Sequence, residues 1–178
     1  MKKVLILASS PRKGGNSDLL CEQFMQGAHG AGHEVETVYL RDRKIGHCLG
    51  CEHCRQHDGE CILKDDMAGI LDSMIAANVI VLATPVYFYT MNGQLKTLID
   101  RTVAKYTEIR GKDFYFIVSA ADGDEMMMAR TIEEFRGFLY CLDEVEEQGV
   151  VLGVGAWKKG DIVGSRAMSH AHALGSGI

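Results

Sequence analysis

The chain has 178 residues and a formal net charge of −5, and its 47% hydrophobic and 24% charged residues are ordinary for a globular protein. A chain of this length suits a single domain with its own core, here residues 1–178. The acidic balance argues against a nucleic-acid partner, and no segment reaches the roughly 18 consecutive apolar residues that a membrane span requires.

The N-terminal segment predicts a buried strand. Residues 4–8 form a continuous apolar run, as in a parallel strand that is covered on both faces. Two lysines before this run could imitate a signal peptide, but the run is too short and a polar loop follows it. We therefore expect a cytoplasmic protein that begins with a strand.

Short apolar runs and helical patterns alternate along the rest of the chain. In chain order they predict a helix at residues 17–31, a strand at 35–40, a polar loop at 41–64, a helix from residue 65, a strand at 79–83, a helix at 94–103, a strand at 114–118, a helix at 131–142, a strand at 150–154 and a helix at 165–174. Five strands separated by helices imply a doubly wound parallel sheet with right-handed crossovers. In such sheets ligands bind beyond the carboxyl ends of the strands, so the loops at 9–16, 84–92 and 119–125 are the candidate binding loops.

The loop after the first strand has the composition of a phosphate site. Ser10, Asn16 and Ser17 offer neutral donors and Arg12 offers charge, all at the start of a helix, where the backbone favours an anion. Neither the Walker A motif nor the dinucleotide glycine motif is present, so a terminal monophosphate fits better than a pyrophosphate. The alternative is a polar connection with an ordinary helix cap.

The loop after the third strand has the composition of a ring-binding site. Pro85 makes this loop rigid, and the consecutive residues Tyr87, Phe88 and Tyr89 offer aromatic faces to a flat ligand. The alternative is that these side chains only pack the loop onto the next helix.

A cysteine-rich loop at residues 46–64 carries four of the six cysteines, spaced C-x2-C-x2-C-x6-C: Cys48, Cys51, Cys54 and Cys61. In a reducing compartment such clustering indicates a metal or redox site more than disulfides. Ferredoxins use a similar triple step, whereas the interleaved His47, His53 and His57 leave zinc open. Free or disulfide-forming thiols are the third alternative.

Other polar and sulfur residues have structural interpretations. Cys21 and Cys141 lie in apolar helical patterns and are expected to be small core residues. Asp65 is expected to cap the helix that it precedes. Asp100 and Arg101 are expected to form a structural ion pair or a subunit contact.

Taken together, these stretches resemble the NADPH-dependent FMN reductase superfamily, and most closely its iron–sulfur flavoprotein-like branch. The matching segments are residues 10–17 (SPRKGGNS), 48–54 (CLGCEHC), 61–67 (CILKDDM), 85–88 (PVYF), 94–101 (QLKTLIDR) and 155–161 (GAWKKGD). They cover nearly the whole chain in the expected order.

The resemblance implies a flavodoxin-like FMN-binding domain with strand order 2-1-3-4-5. The residues implied for the FMN phosphate are Ser10, Arg12, Asn16 and Ser17. Those implied for the isoalloxazine ring are Pro85, Val86, Tyr87 and Phe88, with Ala120, Asp122 and Gly123 in a loop behind it. The compact cysteine motif implies a [4Fe-4S] cluster at Cys48, Cys51, Cys54 and Cys61.

The resemblance further implies an FMN-dependent oxidoreductase that passes electrons from NAD(P)H to a quinone, a flavin or another small oxidant, as a homodimer or homotetramer. Two alternatives remain open: an iron–sulfur electron-transfer module that takes electrons from a ferredoxin-like protein, and a zinc or thiol sensor without catalysis. No catalytic side chain is expected, because in flavoenzymes the cofactor does the chemistry.

Overall fold

The computed structural model describes residues 1–178 and confirms the doubly wound parallel sheet. Its strands are β1 (Lys3–Ala8), β2 (Glu34–Tyr39), β3 (Val79–Tyr87), β4 (Thr90–Met91), β5 (Asp113–Ser119) and β6 (Glu146–Gly153). The parallel strands lie in the order β2-β1-β3-β5-β6, and β4 is a short sixth strand that pairs antiparallel with the end of β3. Apart from β4, this is the expected order 2-1-3-4-5.

Five of the six helices fill predicted positions. They are α1 (Asn16–Gly30), α2 (His53–Gln56), α3 (Met67–Ala76), α4 (Gly93–Arg101), α5 (Ala129–Leu139) and α6 (Arg166–Ser176). Helix α2 lies inside the segment that was predicted as a loop, because four residues are too few to show a periodic pattern. No helix is long and apolar enough to cross a membrane.

The sheet separates two cores because successive side chains of a strand point to opposite faces. Leu5 and Leu7 of β1 belong to the core beneath α3, α4 and α5, whereas Val4 and Ile6 belong to the core beneath α1 and α6. Both faces of β1 are therefore covered, which explains its continuous apolar run.

Helices α1 and α6 approach until their backbones touch. A Cβ atom at Gly27 would lie 2.2 Å from the His172 carbonyl oxygen, and one at Gly175 would lie 2.1 Å from the Phe24 carbonyl oxygen. Only glycine permits this approach. The C-terminal helix is thereby fixed over the helix that follows the first candidate binding loop.

The two cysteines outside the cysteine-rich loop have different surroundings. Cys21 is buried as predicted, and burial raises the pKa of its thiol. The core prediction for Cys141 is wrong, because its side chain is exposed. Helix α5 ends at Leu139, so the helical spacing that suggested burial does not continue to Cys141.

Candidate functional site

A cavity of about 400 Å³ opens at the carboxyl edge of the sheet, where the loops after β1, β3, β5 and β6 meet. It is lined by Ser10, Arg12, Gly15, Asn16, Ser17, Pro85, Val86, Tyr87, Phe88, Ser119, Ala121, Ala156 and Trp157. Of the residues predicted for the site in the first two binding loops, all but Tyr89 line this cavity. The structure therefore brings together residues that the sequence places about 70 positions apart.

The third predicted loop reaches the cavity through other residues. Ala120, Asp122 and Gly123 are not part of the lining, whereas Ser119 and Ala121 are. The backbone of Ala120 is paired with the 153–156 segment on both sides, and the Asp122 carbonyl accepts the Gly155 N–H at 2.7 Å. These bonds hold the loop against the segment that follows β6.

Helix α1 begins without a side-chain cap. Its N-cap residue is Gly15, and the backbone N–H groups of Asn16, Ser17 and Asp18 donate to no backbone carbonyl. Such unpaired groups and the helix dipole favour an anion at this end. A Cβ atom at Gly15 would lie 2.9 Å from the Arg12 carbonyl oxygen, so the loop closes tightly around this glycine.

The side chain of Asn16 has a structural use that the sequence did not indicate. Its amide nitrogen donates to the carbonyls of Ala156 at 3.1 Å and Lys158 at 2.9 Å, and its amide oxygen accepts the Gly160 N–H at 3.0 Å. It therefore holds the segment after β6 against the loop at residues 9–16, which is called the phosphate loop below. This leaves the backbone N–H of Asn16 for a phosphate.

Trp157 is a lining residue that the sequence reasoning did not assign. Its side chain is 70% exposed, and its carbonyl accepts a bond from Arg12 Nη1 at 3.1 Å. The matching segment at residues 155–161 was the available signal, but it indicated no contact with the first loop.

A buried ion pair between Asp18 and Arg41 contacts the backbone of the phosphate loop. Asp18 is 1% exposed, accepts the Gly14 N–H at 2.8 Å and pairs with Arg41 at 2.9 Å. Arg41 also donates to the Ser10 carbonyl at 3.2 Å. Burial raises the pKa of Asp18, although the Gly14 N–H and Arg41 both favour the carboxylate. Both ends of the loop therefore depend on this pair.

Replacing Asp18 by alanine should weaken binding of FMN, the cofactor that the sequence resemblance implies, by about tenfold, because it releases Gly14 and leaves Arg41 without its partner. Asp18→Asn keeps an acceptor for the Gly14 N–H and should lose less. Removing a negative charge near a phosphate would by itself strengthen binding. Tighter binding by Asp18→Ala in a fluorescence titration would therefore contradict the positioning role.

The predicted loop at residues 84–92, called the ring loop below, contains a tight hairpin whose aromatic side chains are exposed. Phe88 and Tyr89 connect β3 to β4 with φ angles of 52° and 64°, a conformation that non-glycine residues rarely adopt. Phe88 is 98% exposed, and Tyr87 and Tyr89 are also exposed. The side chains of Tyr87 and Phe88 are thus available to a ligand in the cavity.

The four cysteines line a second cavity of about 190 Å³, together with Arg101, Val103 and Ala104. All four thiols are free, and Cys54 and Cys61 are half-buried. Of the interleaved histidines, His53 and His57 stack on each other and His47 Nδ1 bonds to Thr97 Oγ1 at 3.0 Å.

The cysteine cavity has the donor set that an iron–sulfur cluster takes. A [4Fe-4S] cluster binds one thiolate at each iron, so its ligands surround a body of several atoms, and four soft thiols line this cavity. No group of three or more His, Cys, Asp or Glu side chains in the structure is arranged to hold a metal ion.

A buried ion pair closes one side of this cavity. The Arg101 side chain is 2% exposed and donates two bonds to Asp65, Nη1 to Oδ2 at 2.7 Å and Nη2 to Oδ1 at 2.9 Å. These bonds lower the pKa of Asp65. Arg101 and Asp100 each form an ion pair, Arg101 with Asp65 and Asp100 with Lys96 at the surface.

The N-cap residue of α3 is Asp66, without a side-chain cap bond, so the expected cap by Asp65 is wrong. Asp65 instead accepts the N–H of Met67, the first residue of the helix, at 3.2 Å.

The strand order and the uncapped helix at the first loop define a flavodoxin-like protein. The sequence profile of the NADPH-dependent FMN reductase family matches residues 2–154. The chain belongs to this family.

Individual relatives are consistent with this membership. An iron-sulfur flavoprotein of Archaeoglobus fulgidus is 39% identical over 101 residues, which cover 57% of this chain and 45% of that protein. A Bacillus subtilis protein, provisionally named an NAD(P)H-dependent FMN-containing oxidoreductase, is 28% identical over 97% of this chain and 96% of its own length. The Trp repressor binding protein of B. subtilis is structurally similar, with a TM-score of 0.73 at 25% identity over 97% of this chain and 99% of its own. The matches to the first iron-sulfur flavoproteins span only about half of their length.

Proposed function

We propose that this chain binds FMN at the carboxyl edge of its sheet and passes electrons from NAD(P)H to a small oxidant such as a quinone or a flavin. The observation that carries this proposal is the 400 Å³ cavity, which combines an uncapped helix N-terminus with an aromatic hairpin. Family membership supports the choice of FMN and NAD(P)H.

The phosphate end of the cofactor belongs at the first loop. The backbone N–H groups of Asn16 and Ser17, the Ser10 hydroxyl and the Arg12 guanidinium are the donors that line this part of the cavity. Charge-assisted bonds from an arginine and from a helix N-terminus are the stronger kind of hydrogen bond. Ser17 in the first turn of α1 also bonds through Oγ to Ser119 Oγ at the end of β5, at 2.8 Å, which joins the first loop to the third.

The ring end belongs between the hairpin and the opposite wall. Pro85, Val86, Tyr87 and Phe88 form one side, and Ser119, Ala121 and Trp157 also line the cavity. Bound FMN would supply the redox chemistry, accepting a hydride and releasing one or two electrons. The chain contributes position, backbone donors and the exclusion of water from the covered side.

A comparison of FMN with riboflavin tests the phosphate assignment. FMN should bind at least about 100-fold more tightly, because riboflavin lacks the group that several charge-assisted bonds hold. Arg12→Gln should weaken FMN binding by about tenfold and riboflavin binding by clearly less, the part that riboflavin loses coming from the bond of Arg12 to the Trp157 carbonyl. The matched control is Lys13→Gln, which removes a neighbouring exposed cation that does not line the cavity. Equal affinities for the two flavins would contradict the assignment.

A second function, electron transfer through a [4Fe-4S] cluster with a ferredoxin-like partner, is favoured by the four cysteines that line one cavity. Helix α4 begins after the ring loop and ends at Arg101 beside this cavity, so one helix of about 14 Å connects the surroundings of the two sites. Iron and acid-labile sulfide in protein purified without oxygen would support this function. Zinc or free thiols in place of iron would contradict it.

A further inference from the structure

We propose that Arg101 is the positioning residue of the cysteine cavity, where it holds the two ends of the cysteine-rich loop and sets the reduction potential of the redox group bound there. The part that concerns the potential rests on the proposed cluster. The part that concerns the loop rests on contacts within the chain alone.

The guanidinium of Arg101 bonds to both ends of the loop. Nη1 donates to the Gly46 carbonyl at 2.7 Å, just before the first cysteine, and Nη2 lies 3.5 Å from Cys61 Sγ, the last cysteine. The same two nitrogens form the fork to Asp65, which itself accepts the Gly46 N–H at 2.8 Å. One side chain therefore fixes the start of the loop, its end and the head of α3.

A lysine could not make these contacts. The guanidinium is planar and presents its donors as a rigid fork, which matches a carboxylate and leaves further N–H groups for other acceptors. An ammonium is a point charge without this fork. The requirement at position 101 is therefore for shape as well as charge.

The environment of Arg101 indicates more than a structural ion pair. Its Nε–H is buried and has no acceptor, which is costly in a protein interior. Arg101 also lines the cavity and contacts a cysteine sulfur, so a positive donor faces the site of an anionic sulfur-rich group. Hydrogen bonds to the sulfurs of a cluster, and the charge around it, are among the factors that set its potential.

These contacts predict the direction of the change in potential. A cation and an N–H···S bond stabilise the more negative, reduced state of the cluster, so their loss should make the potential more negative. An ion pair that only braces the fold would not move this quantity while the cluster stays bound.

The test compares Arg101→Gln and Arg101→Lys with Lys96→Gln. Lys96 lies on the same helix and pairs with Asp100 at the surface, so it controls for the loss of a cation from α4. Amide hydrogen exchange of residues 46–64 is measured in iron-free protein, and the cluster potential is measured by redox titration of protein purified without oxygen. Arg101→Gln should speed exchange in this loop at least tenfold and make the cluster potential more negative, while FMN affinity stays unchanged.

The variants separate the possible results. Arg101→Lys should show faster exchange than wild type, because it keeps the charge but lacks the fork, and it serves as the test if Arg101→Gln does not fold. Wild-type exchange in both arginine variants would overturn the positioning role. An unchanged potential would overturn the tuning role. If wild-type protein holds no iron, the cluster function and the tuning role both fail, and the exchange experiment still decides the positioning role.

Discussion

Replacing Gly15 by alanine is expected to weaken FMN binding by about 10- to 100-fold. The added Cβ would lie 2.9 Å from the Arg12 carbonyl oxygen and 3.3 Å from Ser10 Oγ, so the loop that carries both residues must move. Overpacking of this kind costs about 1–3 kcal/mol, and each 1.4 kcal/mol is a factor of about ten in affinity. The loop leads into the unpaired N–H groups of α1, so a movement of the loop should weaken the hydrogen bonds to the phosphate.

The measurement is the FMN dissociation constant by fluorescence quenching, with riboflavin titrated in parallel. Gly30→Ala at the other end of α1 is the matched control, because a Cβ there meets nothing within 4 Å. FMN affinity should be unchanged in that variant, and riboflavin should lose less than FMN in Gly15→Ala. Wild-type FMN affinity in Gly15→Ala would mean that the phosphate does not bind at this loop.

Replacing Gly175 by alanine is expected to lower the free energy of unfolding by about 3 kcal/mol or more. A Cβ at Gly175 would lie 2.1 Å from the Phe24 carbonyl oxygen and 3.0 Å from the Ala28 nitrogen, both in the backbone of α1. Neither helix can yield by changing a rotamer, so α6 must move away from α1. In a chain of this size the change corresponds to a fall in Tm of about 6–12 °C.

Gly137→Ala in α5 is the control, for which we expect the free energy of unfolding to rise. A Cβ there meets nothing within 4 Å, so the substitution should stabilise the protein by up to about 1 kcal/mol through the higher helix propensity of alanine. Chemical denaturation of both variants measures the difference. Equal stability of Gly175→Ala and the wild type would show that the two helices do not pack through their backbones.

The parallel strands were predictable because each of them shows an apolar pattern within a few consecutive residues. Buried strands such as β1 and β3 read as continuous apolar runs, and the alternation of strands with helices limits the sheet to few topologies. Strand β4 was not predictable, since its two residues carry no periodic signal. Cys141 was misassigned for a related reason, because a spacing pattern does not show where its helix ends.

The candidate site was predictable only in part. Ser10 comes just after β1 and Tyr87 is the last residue of β3, so the sheet brings them to the same edge. The ion pair of Asp18 with Arg41 and that of Asp65 with Arg101 join positions far apart in the chain. Spacing along a sequence carries no information about such contacts, and the use of Asn16 to hold the segment after β6 was equally hidden.

The most direct test of the account is the visible spectrum of the protein, purified without oxygen and supplied with FMN, before and after NADPH is added. The proposal predicts bound flavin whose absorbance bands bleach on reduction by NADPH or, if the donor preference differs, by NADH. Bound flavin that neither nucleotide reduces would contradict the proposed electron donor and favour a ferredoxin-like one. A colourless protein that takes up no added FMN would contradict the central claim.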